Sequence, residues 1–211
     1  TRGARPEVLA LRPAPIQVGY LGFLGTMGAG FVDYALLDRD SMLPEQHRHW
    51  SEHIAYLRDT SIYCERHATG HATLSRAEYG LPENGPVFCA LHMPRKIDPP
   101  AFDLWLSLLR DLPAAVLWLT GQSEIQIQAM RDHAERNGVA PERLVFSGVA
   151  PRDEYLARYR LADVFLDTTI FNGHTTVIDA LSMGVPVVTL PGEAPCARGA
   201  ASILRAHGLP E

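Results

Sequence analysis

From residue 86 onward two apolar patterns alternate. Short unbroken runs, Val87-Phe-Cys-Ala-Leu91, Ala115-Val-Leu-Trp-Leu119, Leu144-Val-Phe146, Val164-Phe-Leu166 and Val187-Val-Thr-Leu190, predict buried strands. Between them the apolar residues recur three and four apart, as on one face of a helix. Phe102, Leu104, Trp105, Leu108 and Leu109 predict a helix over 99–110, and further helices are expected over 123–137, over 152–159, from Thr176, and over 197–206. Gly138 ends the second helix, and a Gly184-Val-Pro186 break follows the fourth. Strand and helix in alternation, joined by short links, predict an α/β fold with a doubly wound parallel sheet.

Upstream the pattern is less regular. Pro13 and Pro15 disfavour a helix over 11–17, and a strand is expected over 16–21. It runs into a glycine-rich turn over 22–30, whose spacing is not that of a dinucleotide fingerprint. Ile54-Ala-Tyr-Leu57 reads as another strand, and the polar residues 58–85 as a connection. The expected division is therefore 1–80, the tail of one Rossmann-like domain, and 81–211, a second such domain.

The 211 residues are 46% hydrophobic and 20% charged, with net charge −5. That suffices for one large core or two small ones, and it speaks against nucleic-acid or membrane-surface partners. No apolar run is long enough to cross a bilayer, and no signal peptide is read. Cys64, Cys89 and Cys196 are odd in number and form no CxxC pair, which fits a reducing, cytoplasmic setting. The chain opens at Thr1 rather than Met, and is read as a piece of a longer protein.

Candidate chemistry concentrates in Asn172-Gly173-His174-Thr175-Thr176, set before the apolar run Val177, Ile178, Leu181. A helix start offers unpaired N–H groups and a partial positive charge, so this loop suits a phosphate. Thr176-Val-Ile-Asp179 is equally a capping box in outline. Two further loops are placed at carboxyl ends of strands, His92–Asp98 after the first and Ser147–Asp153 after the third. Lys96 in the first of these would supply a cation. Asp38-Arg-Asp40 has the form of a metal-binding DxD triplet, and His49-Trp-Ser-Glu52-His53 the form of a zinc motif. Both are read as structural, the first as a strand end and the second because a strand follows at once.

The string from Asn172 through Asp179-Ala-Leu, Gly184, Pro186-Val-Val-Thr-Leu-Pro-Gly-Glu193 resembles the nucleotide-sugar loop of the O-linked N-acetylglucosamine transferases. Leu11–Gly28 resembles the same family's Leu-Arg-Pro-Ala-Pro-Ile-Gln segment and its following glycine loop, with Phe23-Leu24 replacing Tyr-Pro. The resemblance implies a GT-B type fold and an inverting, metal-independent transfer of GlcNAc from UDP-GlcNAc to Ser/Thr of proteins. It implies tetratricopeptide repeats elsewhere in the whole protein, and no cofactor. Lys96 falls at the family's diphosphate lysine, Val149-Ala150 and Arg152 at its uracil segment, and Asp179 at its ribose carboxylate. His174, Thr175 and Thr176 fall in its phosphate loop. Met93 replaces a Gln that helps hold the nucleotide, and Tyr155 a His beside the base. These departures leave open another sugar nucleotide, such as GDP-fucose, or an inactive nucleotide-binding module.

Overall fold

A computed structural model describes residues 5–63 and 72–209. Cys64, the centre of the expected 58–85 connection, residues 1–4 and residues 210–211 lie outside them. In chain order the elements are α1 (Glu7–Ala10), β1 (Val18–Gly19), β2 (Tyr34–Leu37), β3 (His53–Tyr56), β4 (Val87–Ala90), α2 (Pro99–Asp111), β5 (Val116–Thr120) and α3 (Glu124–Arg136). Then follow β6 (Leu144–Ser147), α4 (Arg152–Arg158), β7 (Val164–Leu166), α5 (Thr175–Ser182), β8 (Val187–Val188) and α6 (Gly199–Ala206).

The chain forms two compact units. One comprises Thr1–Cys64, Ile170–His174 and Pro191–Glu211, the other Glu65–Thr169 and Thr175–Leu190. In this division 170–174 and 191–211 group with the N-terminal residues. The reason lies in α6. Its Gly199 to Leu204 are all buried, its Ser202 hydroxyl donates to Thr60 Oγ1 at 2.8 Å, and Arg205 pairs with Asp40. Helical periodicity announces such a buried face but not which sheet will cover it.

In the N-terminal unit β1, β2 and β3 pair in parallel in that order. The strand expected over 16–21 pairs over only two residues. Gln17 turns its own amide to Asp33 and its side chain to the carbonyls of Leu9 and Phe31, and Leu21 leaves the strand with φ of 48°.

The other unit is a five-stranded parallel sheet in the order β6-β5-β4-β7-β8. Leu117 and Leu119 of β5 pack with Phe102, Trp105, Leu106 and Leu109 of α2 and with Ala134 of α3. Trp118, between them in sequence, alternates to the opposite face, beside the Tyr79 ring at 5.3 Å. Ser123 caps α3 by accepting from the Gln126 amide at 3.2 Å, and Gly138 ends it at φ of 74°. Among the described residues no helix is long and apolar enough to cross a membrane.

Candidate functional site

The strand order reverses between β4 and β7. β5 and β6 lie to one side of β4, β7 and β8 to the other. In an open parallel sheet the crevice beyond the carboxyl ends at such a reversal is where a ligand enters. A cavity of about 260 Å³ opens beside it, beyond the carboxyl ends of β4, β5 and β6. Its walls come from the ends of three neighbouring strands: Leu91, His92 and Met93 after β4, Thr120 and Gln122 at and after the end of β5, and Ser147 to Ala150 at and after the end of β6. Tyr155 and Arg158 of α4 and Thr176 of α5 complete them. The Thr120–Gln122 loop is a wall the sequence did not mark, because nothing in it carries a charge or a glycine pattern tied to phosphate.

Of the expected site residues, Ala150, Tyr155 and Thr176 therefore meet in one cavity, with Met93. Arg152 and Asp179 meet each other. The guanidinium forks onto the carboxylate, Nη2 to Oδ1 at 2.6 Å and Nη1 to Oδ2 at 3.0 Å. The Asp179 side chain is 2% exposed and that of Arg152 47%, so a buried acceptor is held from its outer side. Arg152 also lies over the Tyr155 ring at 5.6 Å. Tyr155 shares a hydrogen bond with Tyr159, O to O 2.8 Å, and burial raises its phenol above the usual range.

The capping box over Thr176–Asp179 does not form. The helix starts one residue earlier than expected, at Thr175. The Thr176 hydroxyl is buried with no hydrogen-bond partner among the described residues, and Asp179 is engaged by Arg152. Thr175 is exposed at the first turn.

Lys96 ends a single 3₁₀ turn, Pro94–Lys96, and is not a wall of the cavity. Its loop is anchored across the crevice, because the Thr169 hydroxyl after β7 donates to Asp98 Oδ1 at 3.0 Å. The charge of Lys96 is felt at His92, whose imidazole is pushed down to about 3 by burial first and by Lys96 second. His92 is thus neutral. Its Nε2 faces the Leu166 carbonyl at 3.2 Å and Asp167 Oδ1 at 3.4 Å, so the contact with Asp167 joins a neutral ring to a carboxylate. Thr189 donates to the other Asp167 oxygen at 2.7 Å. This buried chain ties β4, β7 and β8 together at their carboxyl ends.

Arg158 was not marked by the sequence. It is 6% exposed, donates to the Gly148 carbonyl at 2.7 Å and to Glu154 at 2.8 Å, and lies over the Tyr79 ring at 5.0 Å. An arginine in the last turn of a helix reads as a solvated charge. Only the fold shows it as a wall.

His174 belongs to the N-terminal unit. Its ring packs on Phe171 at 5.5 Å, and Phe171 stacks on Phe23 at 5.8 Å. A Cβ placed on Gly199 would stand 2.5 Å from the His174 ring, so glycine there leaves space for the imidazole. In the same unit the Asp38-Arg-Asp40 triplet is structural. Burial opposes the charge of Asp38, but bonds from Ser61 and Ser41 outweigh it and hold the carboxyl below its usual range. Asp40 pairs with Arg205. Within His49–His53, Glu52 accepts from Thr26 and from the Met27 amide, while His53 begins β3. Among the described residues no three His, Cys, Asp or Glu side chains are grouped to hold a metal.

Comparison with known proteins agrees with this architecture. A probable UDP-N-acetylglucosamine–peptide N-acetylglucosaminyltransferase SEC of Arabidopsis thaliana is 38% identical over 99% of this chain, which spans 22% of that protein. The corresponding enzyme of Caenorhabditis elegans is 28% identical over the whole chain, which spans 28% of it. The solved structure of a mutant O-GlcNAc transferase from Thermobaculum terrenum superposes with a TM-score of 0.85 at 34% identity, over 96% of this chain and 38% of that one. A sucrose-phosphate synthase from Thermosynechococcus elongatus, 18% identical with a TM-score of 0.53, shares the fold. The sequence matches Glycosyl transferase family 41 over residues 1–74 and 62–211, and the chain belongs to that family.

Proposed function

We propose that the protein containing this chain is an inverting, metal-independent transferase that moves GlcNAc from UDP-GlcNAc to Ser/Thr hydroxyls of proteins. In this reading the cavity beyond the carboxyl ends of β4, β5 and β6 takes the uridine. The observation that carries it is this cavity, beside the switch point of a family 41 sheet, with Ala150, Tyr155 and Thr176 among its walls and the Arg152–Asp179 fork formed. Ala150, Arg152 and Tyr155 serve the base side, and Asp179 the ribose. Lys96, His174, Thr175 and Thr176 serve the diphosphate.

The acceptor oxygen attacks the anomeric carbon opposite the departing UDP. The sugar–oxygen bond breaks, its electron pair stays on the β-phosphate, and the acceptor hydroxyl loses its proton. Lys96 stabilises the growing phosphate charge electrostatically, the task a metal performs in other transferases. The engagement of Asp38 and Asp40 within their own unit supports the metal-free reading. Retention of Lys96 and of the Thr175-Thr176 helix start supports an active enzyme over an inactive module. The odd number of cysteines, with no CxxC pair, favours a reducing, cytoplasmic location.

The test is calorimetry on the full-length protein. UDP and UDP-GlcNAc are expected to bind equally well with EDTA or with Mn²⁺, and GDP at least tenfold more weakly. Loss of UDP binding in EDTA, or equal binding of GDP, would overturn the reading.

A further inference from the structure

His92 has been given no part in binding, yet its placement asks for one. Its side chain is fully buried, and it lines the cavity beside Met93 and Thr176. Both groups facing Nε2, the Leu166 carbonyl and the Asp167 carboxylate, are acceptors, so Nε2 carries the ring proton. Nδ1 is then a lone-pair acceptor, and it is buried with no partner among the described residues. A buried acceptor without a donor is destabilising. The neighbouring Leu91 and Met93 side chains offer no hydrogen to it.

We infer that His92 Nδ1 accepts a hydrogen bond from the nucleoside of the bound donor, making His92 a specificity-determining residue for the nucleotide. This rests on the cavity being the UDP site. The geometry sets the chemistry of the partner. Phosphate oxygens at neutral pH carry no hydrogen to give, and with the uridine in this cavity the donors within it are the ribose hydroxyls and the N3–H of the base. Lys96 reads the anionic part of the ligand through charge, and His92 reads the neutral part through a proton.

The two ring nitrogens can be tested apart. Asn ends at the distance of Nδ1 from the backbone, so His92→Asn keeps an acceptor toward the cavity and gives up the bond to Leu166. Gln reaches the distance of Nε2, so His92→Gln keeps the brace and gives up the cavity acceptor. Calorimetry on the full-length protein would use UDP, 2′-deoxy-UDP, 3′-deoxy-UDP and N3-methyl-UDP. Against UDP, His92→Gln should weaken binding about tenfold with an unchanged melting temperature, and His92→Asn less than about threefold with a lowered one. One analogue should bind the natural protein about tenfold more weakly than UDP does, and lose nothing further in His92→Gln. That analogue identifies the donor as ribose or base. Equal UDP affinity in the two variants, or analogue losses that all add to the His92→Gln loss, would overturn the role of His92 alone. Failure of the natural protein to bind UDP would remove the site reading, and this inference with it.

Discussion

Cutting the Arg152–Asp179 fork from either end should give unequal results. Arg152→Met leaves a carboxylate that is 2% exposed without its two charged donors. Breaking a fully buried pair this way costs about 3–5 kcal/mol. Here Arg152 is 47% exposed, so water and salt already screen the pair, and a loss of about 1–2 kcal/mol is expected. For a cooperative unit of about 150–250 residues that lowers Tm by about 3–6 °C. Asp179→Asn removes the buried charge instead and releases Arg152 to solvent, so it should cost about 0.5 kcal/mol. The double variant should melt above Arg152→Met alone, because the uncompensated charge is gone, with a coupling of about 1 kcal/mol. UDP affinity should follow another order. Asp179→Asn exchanges a charged acceptor for a neutral one and should weaken UDP about fivefold. Thermal melts of the four proteins, with UDP titrations alongside, decide the matter. If Asp179→Asn melts as low as Arg152→Met, or the double variant melts lower than both singles, the pair is not a buried charge held from outside and the reasoning fails.

Lys96→Ala should lower kcat by about a hundredfold or more with normal folding, as expected for a charge that acts as the bond breaks, about 3 kcal/mol. Thr175→Ala keeps its backbone N–H and should cost only about 1 kcal/mol; equal, mild losses in a turnover assay would show Lys96 to be a bystander. Gly199→Ala sets two effects against each other. Alanine favours the helix by up to about 1 kcal/mol, while the added methyl meets the His174 ring at 2.5 Å. Ile62 Cδ1 stands 2.7 Å from the same point and the His174 ring is packed on Phe171, so the clash outweighs the gain: Tm should fall and UDP-GlcNAc affinity with it, and unchanged affinity would show that the orientation of His174 does not matter to the donor.

The central sheet was readable because its inner strands β4, β5 and β7 are mostly buried and all five carry uninterrupted apolar runs. Val164–Leu166 coincides with its expected bounds, and the other strands shift by a residue or two. Val187–Val188 is shorter than its apolar run, and Leu190, the last residue of that run, is 65% exposed. What sequence could not disclose was pairing at a distance. The Arg152–Asp179 fork joins two residues 27 apart, and His92 meets the chain again 74 residues later, at Leu166. Local patterns even misdirected. Thr176 and Asp179 have capping spacing, but one hydroxyl is left over and the carboxylate went to an arginine with better charge and geometry. Of the three loops expected from residue type and position, the cavity wall takes Thr176 from the first, His92 and Met93 from the second and Ser147 to Ala150 from the third, while Lys96 is not part of it. The Thr120–Gln122 wall and Arg158 needed the strand order, which places β5 between β4 and β6.

The peptide bond between His174 and Thr175 is also the seam between the two units, which the chain crosses after Cys64, Thr169, His174 and Leu190. The most recognisable string in the sequence is therefore shared property. Asn172, Gly173 and His174 fold with one body, Thr175 and Thr176 with the other. A graft of the five-stranded sheet from a relative cannot be made at one junction. It needs four, one of them inside the motif itself. Exchange at a single crossover would split this motif or strand the last helix, so swaps between relatives are expected to succeed only through all four junctions or with both bodies together.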